Sequence, residues 1–278
     1  MTWLIEPLSY PFMLRGLAAG VLVGIVCAVV GTYVVLRGMA FFGDALAHTV
    51  LPGVALGYLV GGGTRESLFW WALGTAVLAS LGIGAISKNA RIKEDTAIGV
   101  VFAGMFALGI AIISTVRSYA VDLSHFLFGD VLGVTNRDLI LTLVFGGIVL
   151  LLVFIFYKEF LTLSFDPVLA ATLRMPVDLL NNLLLAMIAV TVAISMQTVG
   201  VALMVAMLVT PAATAYLLTR RLWTMMLIAA VIGAASSVVG LYLSFYVNIA
   251  SGAAIVLTAT AIFIVVFLFN PRQGMLRK

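Results

Sequence analysis

Charge is what this chain has least of. Of its 278 residues, 15 are Lys or Arg and 11 are Asp or Glu, together 9% of the chain, against about 25% in a soluble domain. Hydrophobic residues make up 64%, and the mean hydropathy is +1.24. So few charges cannot cover a folded surface in water, which excludes soluble enzymes and disordered chains. The isoelectric point near 9.4 does not indicate nucleic acid, because the basic residues stand singly or in small groups between apolar runs and form no solvated patch. Cysteine is nearly absent. Cys27 alone excludes an intrachain disulfide or a thiolate metal cluster within one subunit, and its apolar setting makes it a packing residue. The two histidines, His48 and His125, lie in separate segments and no HExxH occurs, which argues against an intramembrane metalloprotease. There is no GxxxxGK[ST] phosphate loop, so any ATP that is used binds to another chain. The start, MTWLIEPLSYPFML, has no basic region ahead of its apolar residues. It reads as an interfacial segment, 1–13, anchored by Trp3 and Tyr10, not as a cleavable signal peptide.

What is present in quantity is long apolar runs. A helix needs about 20 apolar residues to cross the hydrocarbon core. Interruptions by charge, proline and polar clusters leave nine candidates (eight to nine, as 178–197 and 199–218 nearly merge): 14–36, 40–62, 67–87, 96–115, 138–157, 178–197, 199–218, 223–246 and 251–269. The expectation is an all-α polytopic membrane protein with one transmembrane domain over 14–270 and a tail at 271–278. A tight helical hairpin is expected at Gln197–Thr198. With the C-terminus in the cytoplasm, eleven basic residues fall inside (Arg37, Lys88, Arg91, Lys93, Lys158, Arg174, Arg220, Arg221, Arg272, Arg277 and Lys278). Four fall outside (Arg15, Arg65, Arg117 and Arg137). Basic residues concentrate in cytoplasmic loops, so the N-terminus is expected outside. Two glycine ladders, Gly16/Gly20/Gly24 and Gly53/Gly57/Gly61, predict close helix packing.

An ionisable group inside a span costs about 2.5–3.5 kcal/mol on insertion scales, so each one needs an explanation. Asp44 and His48 stand one helical turn apart on one face, in GDALAHTVLPG. They suit a shared divalent cation or a proton, or else a buried Asp–His hydrogen bond that locks two helices. Pro52 removes the N–H that would serve the His48 carbonyl, which makes Pro52 a candidate for the wall of a path. Asp122 and His125, three residues apart in the long segment 116–137, form a second candidate metal-ligating pair, on an element that is either re-entrant and lines an entrance or interfacial with the pair facing water. In the cytoplasmic region 158–178, Asp166 caps a short helix that Pro167 begins. Phe165 and Leu169 are then available to a partner, unless this is an ordinary interfacial loop helix. In Val209-Thr210-Pro211, Pro211 frees the Met207 carbonyl, so Met207, Thr210 and Pro211 are either path-lining candidates or the site of a plain proline kink.

The run VVLRGMAFFGDALAHTVLPGVA (34–55) resembles the signature of the manganese/zinc/iron ABC-importer permeases, the ABC-3 family of integral membrane subunits, allied to the vitamin B12 and siderophore permeases. KEDTAIG (93–99), LFG (127–129), FDP (165–167), MLVTPAA (207–213) and ASGA (250–253) follow in family order. The resemblance implies the vitamin B12/siderophore permease fold without its first helix, in a bacterial cytoplasmic (inner) membrane. It also implies a homodimer, two cytoplasmic ABC ATPase subunits that hold the ATP, an extracytoplasmic metal-binding lipoprotein, and contact with lipid but not with nucleic acid. No permanent cofactor is implied. The divalent metal is cargo, with Asp44 and His48 at the family's metal-coordinating positions and 164–176 as the coupling helix. The VTPAATAY and NIASGA runs are closer to manganese or iron members than to zinc members, so manganese is the expected cargo, with zinc or iron as the alternatives. A stand-alone, proton-coupled secondary transporter is the competing reading.

Overall fold

The computed structural model describes residues 6–90, 92–115 and 131–269, and among these there are helices and turns but no strand. Helix α1 covers Pro11–Leu36, α2 Phe42–Thr49, α3 Leu51–Gly61, α4 Arg65–Ala90, α5 Glu94–Ser114 and α6 Asn136–Ile155. Helix α7 covers Tyr157–Phe165, α8 Pro167–Thr172, α9 Val177–Val199, α10 Val201–Leu218, α11 Leu222–Val247 and α12 Ser251–Phe269. Among the described residues nine stretches are long and apolar enough to cross a membrane, with α2 and α3 together forming one of them. The expected spans agree with them to within a few residues.

α1 is the hub of the bundle. It packs against α6, α9, α10 and α11, and 72% of its most apolar window is buried, against 17% for α5 and α12. Lipid offers helices no hydrophobic reason to associate, so close approach and interhelical hydrogen bonds must do so. Both glycine ladders serve that purpose. Gly20 and Gly24 face Ser237 and Gly233 of α11, Gly16 faces the Val131 carbonyl, and Gly53, Gly57 and Gly61 face α4. The Ser237 hydroxyl donates to the Gly20 carbonyl over 2.8 Å, the hydroxyls of Thr142 (α6) and Thr198 (α9) pair at 2.8 Å, and Cys27 meets Ser195 at 3.2 Å. Cys27 is a fully buried packing residue, as expected.

The structure differs from the sequence reading in three places. The second span is broken at Val50, because the proline at 52 cannot continue the hydrogen-bond ladder and instead opens α3. The turn expected at Gln197–Thr198 falls at Gly200, and α9 and α10 lean on other helices more than on each other. Thr198 is still helical, and its hydroxyl donates to the Ile194 carbonyl over 2.8 Å. Gly200 has φ 86° and ψ 167°, a backbone region that is essentially glycine's own. Finally, the cytoplasmic region holds two helices where one was expected. α7 runs into α8, separated by Asp166 in an extended conformation.

Candidate functional site

The path to Asp44 begins at the end of α1. Gly38 adopts φ +70°, the Met39 N–H donates to the Val34 carbonyl (2.9 Å), and the Gly38 N–H donates to Val35 (3.1 Å). This is a Schellman stop, which needs a residue that tolerates a left-handed backbone. The chain therefore reverses at once. α2 re-enters the bundle instead of starting at its edge. A Cβ added to Gly43 would stand 2.5 Å from Leu208 Cδ2, near the middle of the 18-residue α10. The His48 ring packs edge-on against Phe102 and Phe106, at 5.9 and 5.6 Å, in the middle turns of the 21-residue α5. Asp44 and His48 are thus level with the centres of their neighbours, not with the ends.

Within this pair, His48 Nε2 and Asp44 Oδ1 are 3.8 Å apart, too far for a hydrogen bond. Both residues belong to α2, so the pair does not lock two helices. The side chains of His48 and Asp44 are 31% and 36% exposed. A carboxylate oxygen and an imidazole nitrogen are therefore presented together, a donor set suited to a divalent first-row metal. Among the described residues no group of three His, Cys, Asp or Glu side chains surrounds a common point. Among the described residues this face offers two candidate donors, Asp44 and His48. The Val50 N–H donates to the His48 carbonyl, so this oxygen is engaged, and Pro52 is buried at the break.

The other candidates are spread more widely. Asp122 and His125 lie outside the described residues. In α10, Met207 and Pro211 are buried, and the Thr214 hydroxyl donates to the Thr210 carbonyl (2.7 Å) beside the proline. The Asp166 carboxylate accepts the N–H groups of Val168 and Leu169, both at 3.0 Å, and Pro167 follows in the first helical position. Four apolar side chains project from this corner, with exposures of 62% for Phe165, 73% for Val168, 48% for Leu169 and 56% for Leu173. Phe165 also borders a cavity of about 360 Å³ with Tyr216, Arg220 and Met225 at the α10–α11 end.

Residues 9–270 match the model of the ABC 3 transport family. The chain belongs to that family. As an ABC 3 transport family chain it is a multi-pass membrane protein and a transport component rather than an enzyme in itself. It is 46% identical over 271 residues to the manganese transport system membrane protein MntC of Halalkalibacterium halodurans, covering 98% of this chain and 91% of the relative. It is 39% identical to a probable iron transport system membrane protein of Haemophilus influenzae, covering 96% of this chain and 97% of the relative. Its fold matches PsaBC from Streptococcus pneumoniae, solved in complex with Fab, with a TM-score of 0.83, 41% identity and coverage of 97% of this chain and 96% of that one.

Several motifs that carry the ABC 3 resemblance turn out to make corners. Gly38 stops α1, Lys93 stands in extended backbone at the N-cap position of α5, and Asn248 takes a left-handed turn (φ 57°) after α11. Two polar clusters escaped the sequence reading. At one end, the buried Asp138 accepts the Thr135 N–H (3.1 Å) and hydroxyl (2.7 Å), lies 3.4 Å from Gln197 Nε2 and pairs with Arg65 at 3.7 Å. The T-x-x-D spacing of a capping box was its sequence signal. At the other end, Arg37 donates to Asn181 Oδ1 over 2.6 Å, and Lys88 pairs with Asp178 at 2.7 Å. No local spacing announces these contacts, because their partners are 144 and 90 residues away.

Proposed function

We propose that this chain is the membrane-spanning permease subunit of an ATP-binding-cassette importer that carries manganese into the cytoplasm. Two copies form the path, two separate cytoplasmic ATPase chains drive it, and an extracytoplasmic binding protein delivers the ion. The observation that carries this reading is the Asp44–His48 pair, about one-third exposed on a helix level with the middle of the bundle. A carboxylate and an imidazole facing lipid at that depth are costly, and they become useful where a second polar surface or a cargo ion meets them. A second copy of α2 would double the two ligands to four. Four donors of mixed oxygen and nitrogen hold a divalent ion, and the absence of thiolate suits a hard metal that must be released again. Affinity order alone favours zinc over manganese at such a site, so manganese identity rests on delivery and on the manganese-named relative.

The exposed apolar corner around α8 supports an ATPase partner. Four large apolar side chains on and beside a six-residue helix outside the long spans, Val168 and Leu169 on α8 with Phe165 before it and Leu173 after it, are what a protein groove would bury. The N-terminus is outside on this reading, which puts α8 in the cytoplasm.

The decisive experiment follows metal content in cells that lack and then regain the chain. Asp44→Ala should remove the manganese gain while the complex still assembles with its ATPase. Normal manganese accumulation by that variant would sink the site. A gain in iron or zinc instead of manganese would change the cargo. Uptake by the chain alone in liposomes, driven by a proton gradient without ATP, would establish the secondary-transporter reading.

A further inference from the structure

The Arg37 cluster has a place in the fold that its neighbours do not share. Arg37 follows the last residue of α1, and only residues 38–41 separate it from α2, which carries Asp44. Its partner Asn181 lies in the second turn of α9, and only residues 173–176 separate α9 from α8. One hydrogen bond therefore joins the connector that leads to the metal pair with the connector that leads to the ATPase corner. The Lys88–Asp178 contact lies beside it, but its side chains are 62% and 68% exposed, and such surface pairs hold little. The Arg37 contact is the more buried of the two.

That guanidinium is only partly satisfied. One terminal nitrogen holds Asn181, whereas the other, Nη1, is buried without a hydrogen-bond partner. A buried donor left unpaired is costly, and a guanidinium has five N–H groups to place. The cavity beside it, about 410 Å³, is lined by Arg37, Lys88, Asn181, Asp178 and Glu94. Glu94 is the first residue of α5, the helix whose Phe102 and Phe106 hold the His48 ring. Burial pulls the Arg37 guanidinium below the ordinary arginine range and the charge of Glu94 pulls it back up. An amide holds Arg37 now, and a stronger, charged acceptor faces the same space.

We propose that Arg37 is a positioning residue that couples the α8 corner to the metal pair by exchanging partners, Asn181 in the conformation described here and Glu94 when α9 shifts. Movement of α8 displaces the start of α9, releases the guanidinium from Asn181 and lets it engage α5, whose aromatic residues flank His48. This rests on the importer reading above. Two alternative arrangements of one partly buried group are the kind of discrete switch that relays a displacement between sites.

The test uses the complete complex, with permease, ATPase and binding protein in liposomes, and measures manganese taken up per ATP hydrolysed. Glu94→Gln is the first variant. It preserves size, and in the present arrangement it removes no Arg37 hydrogen bond. Asn181→Asp is the second, placing a charge where it would retain the guanidinium. Each should lower uptake per ATP by at least about five-fold, the low end of usual coupling strengths, with complex assembly and basal hydrolysis unchanged. A Glu94→Gln complex with the unmodified ratio overturns the exchange, as does an Asn181→Asp complex that transports normally. If the unmodified complex shows no ATP-dependent manganese uptake, it is the importer reading that fails, and no Arg37 variant is needed to see it.

Discussion

Gly31 of α1 and Leu208 of α10 meet so closely that a Cβ at position 31 would overlap the Leu208 carbonyl oxygen. The neighbour here is backbone, which cannot swing aside as a side-chain tip can. Gly31→Ala should cost the bundle about 1–3 kcal/mol or more, the usual range for forcing atoms into a packed interior. Gly147 of α6 has open space where its Cβ would stand, so Gly147→Ala is the control. Thermal unfolding of the two variants in detergent should separate them clearly, and equal midpoints would refute the packing claim.

Asp138 should matter more to stability than its charged neighbour Arg65. Asp138 is 8% exposed and closes the capping box of α6 with Thr135. Asp138→Ala strips the Thr135 N–H and hydroxyl of their acceptor, for a loss of about 1–3 kcal/mol. The Arg65 side chain is 76% exposed and stands 3.7 Å away. Arg65→Ala should cost less than about 1 kcal/mol. The order of the two midpoints is the readout, and a reversed order would contradict it.

Val168→Asp should separate folding from partner binding. Val168 is 73% exposed, so its replacement should shift stability by no more than about 0.5 kcal/mol. A carboxylate in a groove built for an apolar side chain should nonetheless prevent co-purification of the ATPase. Asp166→Ala should give a partial defect, since losing the cap costs α8 about 1 kcal/mol without changing the exposed face. Retention of the full ATPase complement by Val168→Asp would remove α8 from the interface.

Thiol labelling reports both packing and orientation. Cys27 of α1 is fully buried against Ser195 of α9, so a maleimide should leave the folded chain unmodified and react after denaturation. In a Cys27→Ser background, Thr64→Cys should label from outside intact cells with a membrane-impermeant reagent. Thr219→Cys should label only after the membrane is opened. The reverse pattern would invert the topology.

The sequence by itself determined the class, the spans and the likeness to metal-importer permeases. These follow from properties that do not depend on the fold: apolar length against bilayer thickness, scarcity of charge, and motifs contiguous in the chain. It also determined the Asp166–Pro167 helix start, because a cap and its N–H groups lie within three residues of one another. It could not determine the depth of Asp44. Counting residues from Arg37 places Asp44 near one end of its span. The left-handed turn at Gly38 instead returns the chain to the level of Leu208 and Phe102. Nor could it pair Arg37 with Asn181 or Cys27 with Ser195, which are 144 and 168 residues apart. A helix face carries no label for the helix it will meet. In an apolar solvent, that choice is made by which small residues let two backbones touch and which hydroxyls and amides then find one another, and both are decided only when the whole bundle closes.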